Sequence, residues 1–76
     1  MVLSEQQIRA AIAKTVLNFD AASLDPSARF QDSGIDSLDH ASILLELQES
    51  HGLKVPDEAI ERCGSIKGIL EFAAQN

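Results

Sequence analysis

Apolar residues recur at helical spacing in separate stretches of this chain and thin out between them. Near the start, Ile8, Ala11, Ile12, Thr15 and Val16 share one helical face. Ser4 and Gln7 stand ahead of it in capping-box order, where the serine accepts from a backbone N–H and the glutamine reaches back. Leu3 precedes the cap and can staple onto Ile8. The spacing predicts a helix over about Glu5–Leu17, with Arg9 and Lys14 on its outer face. From Asn18 to Asp36 the periodicity disappears. Asn18, Asp20, Ser23, Asp25, Pro26, Ser27, Asp32, Ser33 and Gly34 are turn formers. So long a loop needs anchors, and Phe19, Leu24, Phe30 and Ile35 are the candidates. Asp25-Pro26-Ser27-Ala28 suits a single helical turn, since proline is favoured at a first helical position.

A second helix is predicted over Ser37–His51, stopped by Gly52. At ~100° steps, Leu38, Ala41, Ile43, Leu44, Leu45 and Leu47 spread over roughly 220° of arc. A core-facing helix needs a stripe only somewhat wider than ~100°. This helix is either unusually central or exposes apolar side chains. Its narrower polar face gathers Asp39, Ser42, Glu46 and Glu49, as a solvated surface or as a face toward a partner. Lys54-Val55-Pro56-Asp57 is an extended connector, because proline biases its predecessor away from helix. A short third helix follows over about Asp57–Arg62, with Ile60 as its buried anchor and Cys63 as a small buried hydrophobe. Ser65 caps a last helix over about Ile66–Ala74. Ile66, Ile69, Leu70 and Ala73 face inward there, with Phe72 at the margin. Gly68 inside it costs about 1 kcal/mol relative to alanine. These elements predict an all-α four-helix bundle: one domain over 1–76, with a short third helix and a long loop between the first two helices.

Charge narrows the function. Six basic residues against twelve acidic give a net charge of −6. That disfavours nucleic acid, whose binding is driven by Lys and Arg, and favours basic protein surfaces. The single cysteine cannot form an internal disulfide, which points to a reducing, cytoplasmic interior. Met1 to Gln7 shows no targeting pattern, and no apolar run approaches a membrane span. A chain this small buries only about 60% of the surface its unfolded form exposes, so the core is thin.

The stretch with candidate chemistry is Asp32-Ser33-Gly34-Ile35-Asp36-Ser37-Leu38-Asp39. Gly34 can take positive φ, Asp36 is a good N-cap, and Asp39 in the first turn suits the helix dipole. Ser37 then projects from a helix mouth, a place that tolerates a phosphate ester. A calcium loop opening at Asp32 would need glycine sixth and glutamate twelfth, where Ser37 and Ile43 stand, so no metal site is expected. His40 is not a base for Ser37. A nucleophilic serine also needs an orienting acid, an oxyanion hole and a cleft, and the chain is too small to build them. No catalytic residue is assigned.

Ser33-Gly34-Ile35-Asp36-Ser37-Leu38 resembles the attachment motif of acyl carrier proteins, whose core is Asp-Ser-Leu. Val55-Pro56-Asp57-Glu58 resembles that family's Ile-Pro-Asp-Glu, and Ser65-Ile66 its Thr-Val before the last helix. The resemblance implies a 4′-phosphopantetheine arm bound covalently to Ser37, flanked by Asp36 and Leu38. It implies a carrier rather than an enzyme, holding acyl groups as thioesters for fatty-acid, polyketide or specialised lipid synthesis. The partners it implies are a phosphopantetheinyl transferase, acyl-transferring or condensing enzymes with basic docking surfaces, and the acyl chain. It implies a monomer that does not insert into membranes. Residue by residue, Leu38, Asp39, Leu45, Glu49, Asp57 and Glu61 fall on the family's docking surface. Ser42 and Gln48 stand where acids are common, which thins that surface and suits a restricted set of partners. Two other readings stand beside this one. An aminoacyl or peptidyl carrier usually has a Gly-Gly-His-Ser type motif where Gly34-Ile35-Asp36-Ser37 stands. A helical interaction module would never be modified.

Twelve acids in a small domain repel one another, and salt screens that repulsion. The melting temperature should therefore rise with sodium chloride. Thermal unfolding followed by circular dichroism checks this, and a flat or falling trend would count against it.

Overall fold

The computed structural model describes residues 3–75. Met1, Val2 and Asn76, the ends of the expected domain, lie outside the described residues. Within them are three α-helices and four short 3-10 turns, with no strand. The first helix, α1 (Glu5–Thr15), opens on the complete capping box: Gln7 N–H donates to Ser4 Oγ, and the Gln7 side chain accepts from Ser4 N–H. It ends two residues before the expected Leu17. Val16 is already extended, and Asn18 reverses the chain at φ 61°, a region that asparagine tolerates better than most residues. Leu17 is left exposed at the bend.

The loop onward to Asp36 is held by contacts rather than by regular structure. Leu24, Phe30 and Ile35 are buried and Phe19 is half-buried against the same core, as the anchor reading requires. Asp25–Ala28 closes a single turn through Ala28 N–H on the Asp25 carbonyl. Two 3-10 turns, Ala21–Ser23 and Phe30–Ser33, complete the segment. Arg9, expected on the outer face of α1, is turned inward. Its guanidinium pairs with Glu5 at 2.7 Å and donates to the carbonyls of Ala21 and Leu24 at 2.6 and 2.8 Å. The loop is also tied across the molecule: Phe30 N–H donates to the Gly64 carbonyl at 2.8 Å and Lys67 N–H to the Pro26 carbonyl at 2.9 Å.

Helix α2 (Ser37–His51) has the predicted bounds, with Gly52 as its left-handed cap. Of the two possibilities for its broad apolar arc, exposure holds: Ile43, Leu44 and Leu47 are buried, while Leu38 is 78% and Leu45 53% exposed. Lys14 leaves the surface of α1 to meet Glu46 of α2 at 3.1 Å. The Ser50 hydroxyl, and then Lys14, hold the Glu46 carboxyl below its usual value.

The expected third helix is instead two 3-10 turns, Asp57–Ala59 and Glu61–Cys63. Pro56 and Gly64 leave room for little more, and pieces this short close more readily with i→i−3 bonds. The tighter turn changes which residues face inward. Ala59 and Cys63 are buried, while Ile60, the expected anchor, is half-buried at the surface of the core. Helix α3 (Ile66–Ala74) starts at Ser65, whose hydroxyl accepts from Gly68 N–H. Phe72 is buried rather than marginal and Leu70 is the half-buried one; Arg62 lies over the Phe72 ring at 5.5 Å. Helix α1 packs against both α2 and α3, and α3 also rests on the Glu61–Cys63 turn.

That last contact explains a glycine inside a helix. A Cβ on Gly68 would collide with the backbone carbonyl oxygen of Arg62. On an open helix, glycine to alanine gains about 1 kcal/mol. Here Gly68→Ala should destabilise instead, by about 1–3 kcal/mol as an overpacked contact. Urea unfolding of the two proteins measures the sign directly.

Candidate functional site

The start of α2 is built by the turn before it. Gly34 closes the Phe30–Ser33 turn at φ 91°, where a side chain would be strained. Ile35 is buried and its N–H bonds back to the Phe30 carbonyl at 3.0 Å. The chain is therefore clamped before Asp36. The Asp36 carboxylate accepts from Asp39 N–H at 2.8 Å, and its carbonyl accepts from His40 N–H at 2.9 Å. Ser37 follows as the first residue of α2 and is exposed. It stands at the N-terminal mouth of α2, the end where helix N–H groups lack intrahelical partners.

Beside Ser37 lies a trough with two ends. The end at the serine is a cavity of about 330 Å³, lined by Arg29, Gln31, His40, Ala41, Ile60 and Glu61 along with Ser37. The far end, about 200 Å³, is lined by Leu44, Leu45, Gln48 and Val55, and by the same Ala41 and Ile60. Both ends expose more apolar than polar surface; the side chains of Arg29, Gln31, His40 and Glu61 border the first, and Gln48 the second. α2 forms one wall. The Asp57–Ala59 and Glu61–Cys63 turns, with the connector before them, form the other.

The walls are joined by a side chain whose role the sequence did not reveal. His40 is buried, only 8% exposed. Its Nε2 lies 2.9 Å from the Cys63 carbonyl oxygen, which can only accept, so Nε2 carries the proton. The ring meets Phe30 edge to face at 5.3 Å. The signal was present in the helical register: His40 stands three and four residues before Ile43 and Leu44, on the buried stripe. Cys63 is buried as expected. Burial pushes its thiol up, against a smaller opposing pull from Arg62.

The candidate docking residues divide by position. Leu38, Ser42, Leu45 and Glu49 follow the i, i+4, i+7, i+11 line of one helix face, and all four are exposed. Asp39 is half-buried beneath the cap. Asp57 and Glu61 are exposed on the opposite wall, and Glu61 shares the serine end of the trough. Among the described residues no group of His, Cys, Asp and Glu is placed to hold a metal ion. No helix there is long and apolar enough to cross a membrane.

The family model described as phosphopantetheine attachment site matches residues 6–73. An acyl carrier protein of Helicobacter pylori (strain G27) is 36% identical over 72 residues, covering 93% of this chain and 91% of that one. The chain belongs to the acyl carrier protein family. A mitochondrial acyl carrier protein of Dictyostelium discoideum is 33% identical over 73 residues, covering 92% of this chain and 61% of its own. A protein named acyl carrier protein 2, mitochondrial, from Arabidopsis thaliana is 31% identical over 78 residues, covering 97% and 62%. Members of the acyl carrier protein family are carriers, not enzymes, and phosphopantetheine is their covalent cofactor. The start of α2 fits that group: an exposed hydroxyl, with an open trough beside it, has room for an ester and a long arm.

The buried thiol gives a pH prediction. Below the unfolded thiol value of about 8.5 both states keep the proton and stability is unaffected. Above it the unfolded chain ionises first, so stability falls with rising pH. Urea midpoints between about pH 8 and pH 10 should fall further for the wild type than for Cys63→Ala.

Proposed function

We propose that Ser37 is the attachment point of the 4′-phosphopantetheine arm, and that the chain presents acyl groups held on that arm as thioesters. The observation that carries this reading is the exposed Ser37 hydroxyl at a capped helix start, opening onto the trough. A phosphopantetheinyl transferase supplies the chemistry of attachment, and the serine contributes its oxygen to a phosphodiester. Asp36 and Leu38 hold the motif on either side: Asp36 caps the helix, and exposed Leu38 offers the transferase an apolar contact. The trough suits part of an acyl chain. Two 3-10 turns take the place of a third helix in what we read as the family's four-helix arrangement, in one domain over 1–76 acting as a monomer. The single buried thiol is consistent with a reducing, cytoplasmic interior.

Docking is read onto Leu38, Asp39, Leu45, Glu49, Asp57 and Glu61, facing basic surfaces of acyl-transferring or condensing enzymes. Leu38 and Leu45 support it, as large apolar side chains left in solvent on an acidic helix. Ser42 and Gln48 on the same wall lower its charge. Exposed charges act mainly on association rate, so a restricted set of partners follows.

After co-expression with a promiscuous transferase, intact-mass spectrometry should find one phosphopantetheine adduct on the wild type and none on Ser37→Ala. An adduct persisting on Ser37→Ala would overturn the assignment, and none on either protein would favour an unmodified interaction module. For docking, Leu45→Ala should slow acyl transfer by a partner enzyme while costing well under the ~2–5 kcal/mol expected of a buried leucine. Leu47→Ala, fully buried, is the control that should lose that much.

A further inference from the structure

Arg29 is a cation that the fold holds beside Ser37. Its carbonyl accepts from Asp32 N–H at 3.0 Å and from the Ser33 hydroxyl at 3.1 Å. The next residue, Phe30, is tied to the Gly64 carbonyl. The Arg29 side chain then crosses to the opposite wall, where Nη2 donates to the Glu61 carbonyl at 3.3 Å. Its guanidinium lies on Gly64, where a Cβ would stand 2.5 Å from Nη2 and 2.9 Å from Cζ. Gly64 has φ −86°, a value open to any residue. Its missing side chain therefore provides space under the guanidinium rather than backbone freedom. Arg29 is nonetheless exposed, and it forms no ion pair with a carboxylate among the described residues. Arg9 and Lys14, by contrast, pair with Glu5 and Glu46. No other basic residue lines either end of the trough. A seated, unneutralised cation thus stands at the serine of a chain whose net charge is −6.

We propose that Arg29 is a partner-selecting charge, which disfavours enzymes that are basic beside their active-site entrance and favours those that carry a carboxylate there. The inference rests on attachment at Ser37 and on docking through the α2 face. An enzyme that takes cargo from the arm must bring its own surface up to the serine, so Arg29 faces every such partner. The net charge draws basic surfaces from a distance. Arg29 acts only at contact range, because salt screens a single exposed charge beyond about 10 Å. There a like charge costs affinity and a carboxylate gains it, which is discrimination by repulsion as much as by attraction. The seat on Gly64 and the bond to Glu61 hold the guanidinium in place before a partner arrives, so less side-chain freedom is lost on contact.

The test uses the full chain carrying the arm, with the adduct confirmed by intact mass, as substrate for an acyl-transferring enzyme with a basic docking surface. Arg29→Gln should lower the carrier's KM about 1.4-fold to fivefold, the span of one exposed charge contact, and leave kcat alone. Arg29→Glu should lower it further, Arg29→Lys should match the wild type, and the differences should fade at high salt. A second enzyme has the lysine nearest its active-site entrance replaced by glutamate. Against it the order should invert, the wild type giving a lower KM than Arg29→Gln. Equal KM for wild type and Arg29→Gln with both enzymes, while Leu45→Ala raises it, overturns the selecting role and leaves docking standing. Arg29→Lys behaving as Arg29→Gln overturns it too, since the charge is then not what matters. A phosphorus NMR shift of the arm's phosphodiester in Arg29→Gln, with KM unchanged, assigns the guanidinium to the arm and likewise overturns selection. If Leu45→Ala and Arg29→Gln both leave KM unchanged, the docking reading falls and the inference with it. Arg29 is exposed, so Arg29→Gln should melt as the wild type does, which separates these outcomes from a loss of fold.

Discussion

The loop between α1 and α2 can lie across the helices only because its backbone finds partners on the opposite side of the molecule. A segment without helix or strand carries N–H and C=O groups that are costly to bury unpaired. Here Phe30 N–H bonds to the Gly64 carbonyl and Lys67 N–H to the Pro26 carbonyl. Arg9 takes up carbonyls at Ala21 and Leu24. The Phe30 ring is sunk in the core. These ties fix the end of the loop, and so fix where α2 begins and where Ser37 stands.

The same region joins the walls of the trough. Phe30 meets the His40 ring, His40 reaches the Cys63 carbonyl, and Gly64 next along the chain receives Phe30 N–H. The circuit links loop, α2 and the Glu61–Cys63 turn within a few residues of the serine. A carrier with a thin core benefits from such a circuit. It holds the site's two walls at a set distance through directional bonds, where apolar contact alone would permit sliding. Gly68 serves the same end, letting α3 press onto the Arg62 carbonyl and hold that turn from behind.

The outer face of α2 works differently. Leu38 and Leu45 give up burial, and the acids around them give up compactness through repulsion. Neither choice helps a domain this small to fold. Both make sense in a protein whose work is done against other surfaces. The apolar arc was therefore wider than the core could use, and the excess lies beside the serine.

Local signals carried much of this in the sequence. The capping box at Ser4, the Asp36 cap with Ser37 as the first helical residue, the Gly52 stop and the Ser65 cap all depend on bonds within three or four residues, so they read directly. The resemblance to the attachment motif is equally local, and the proposal of Ser37 rests on it. Tertiary structure decided what depends on distant partners. Whether residues 57–62 close as an α-helix or as 3-10 turns depends on the space between Pro56 and Gly64, and that choice put Ala59 and Cys63 inside in place of Ile60. Arg9 has an ordinary outer-face register, and only the carbonyls of a loop more than ten residues away turn it inward. His40 lies on the buried stripe by register alone. That a histidine can be accommodated there is a fact about the Cys63 carbonyl, a bond across twenty-three positions that no local pattern encodes.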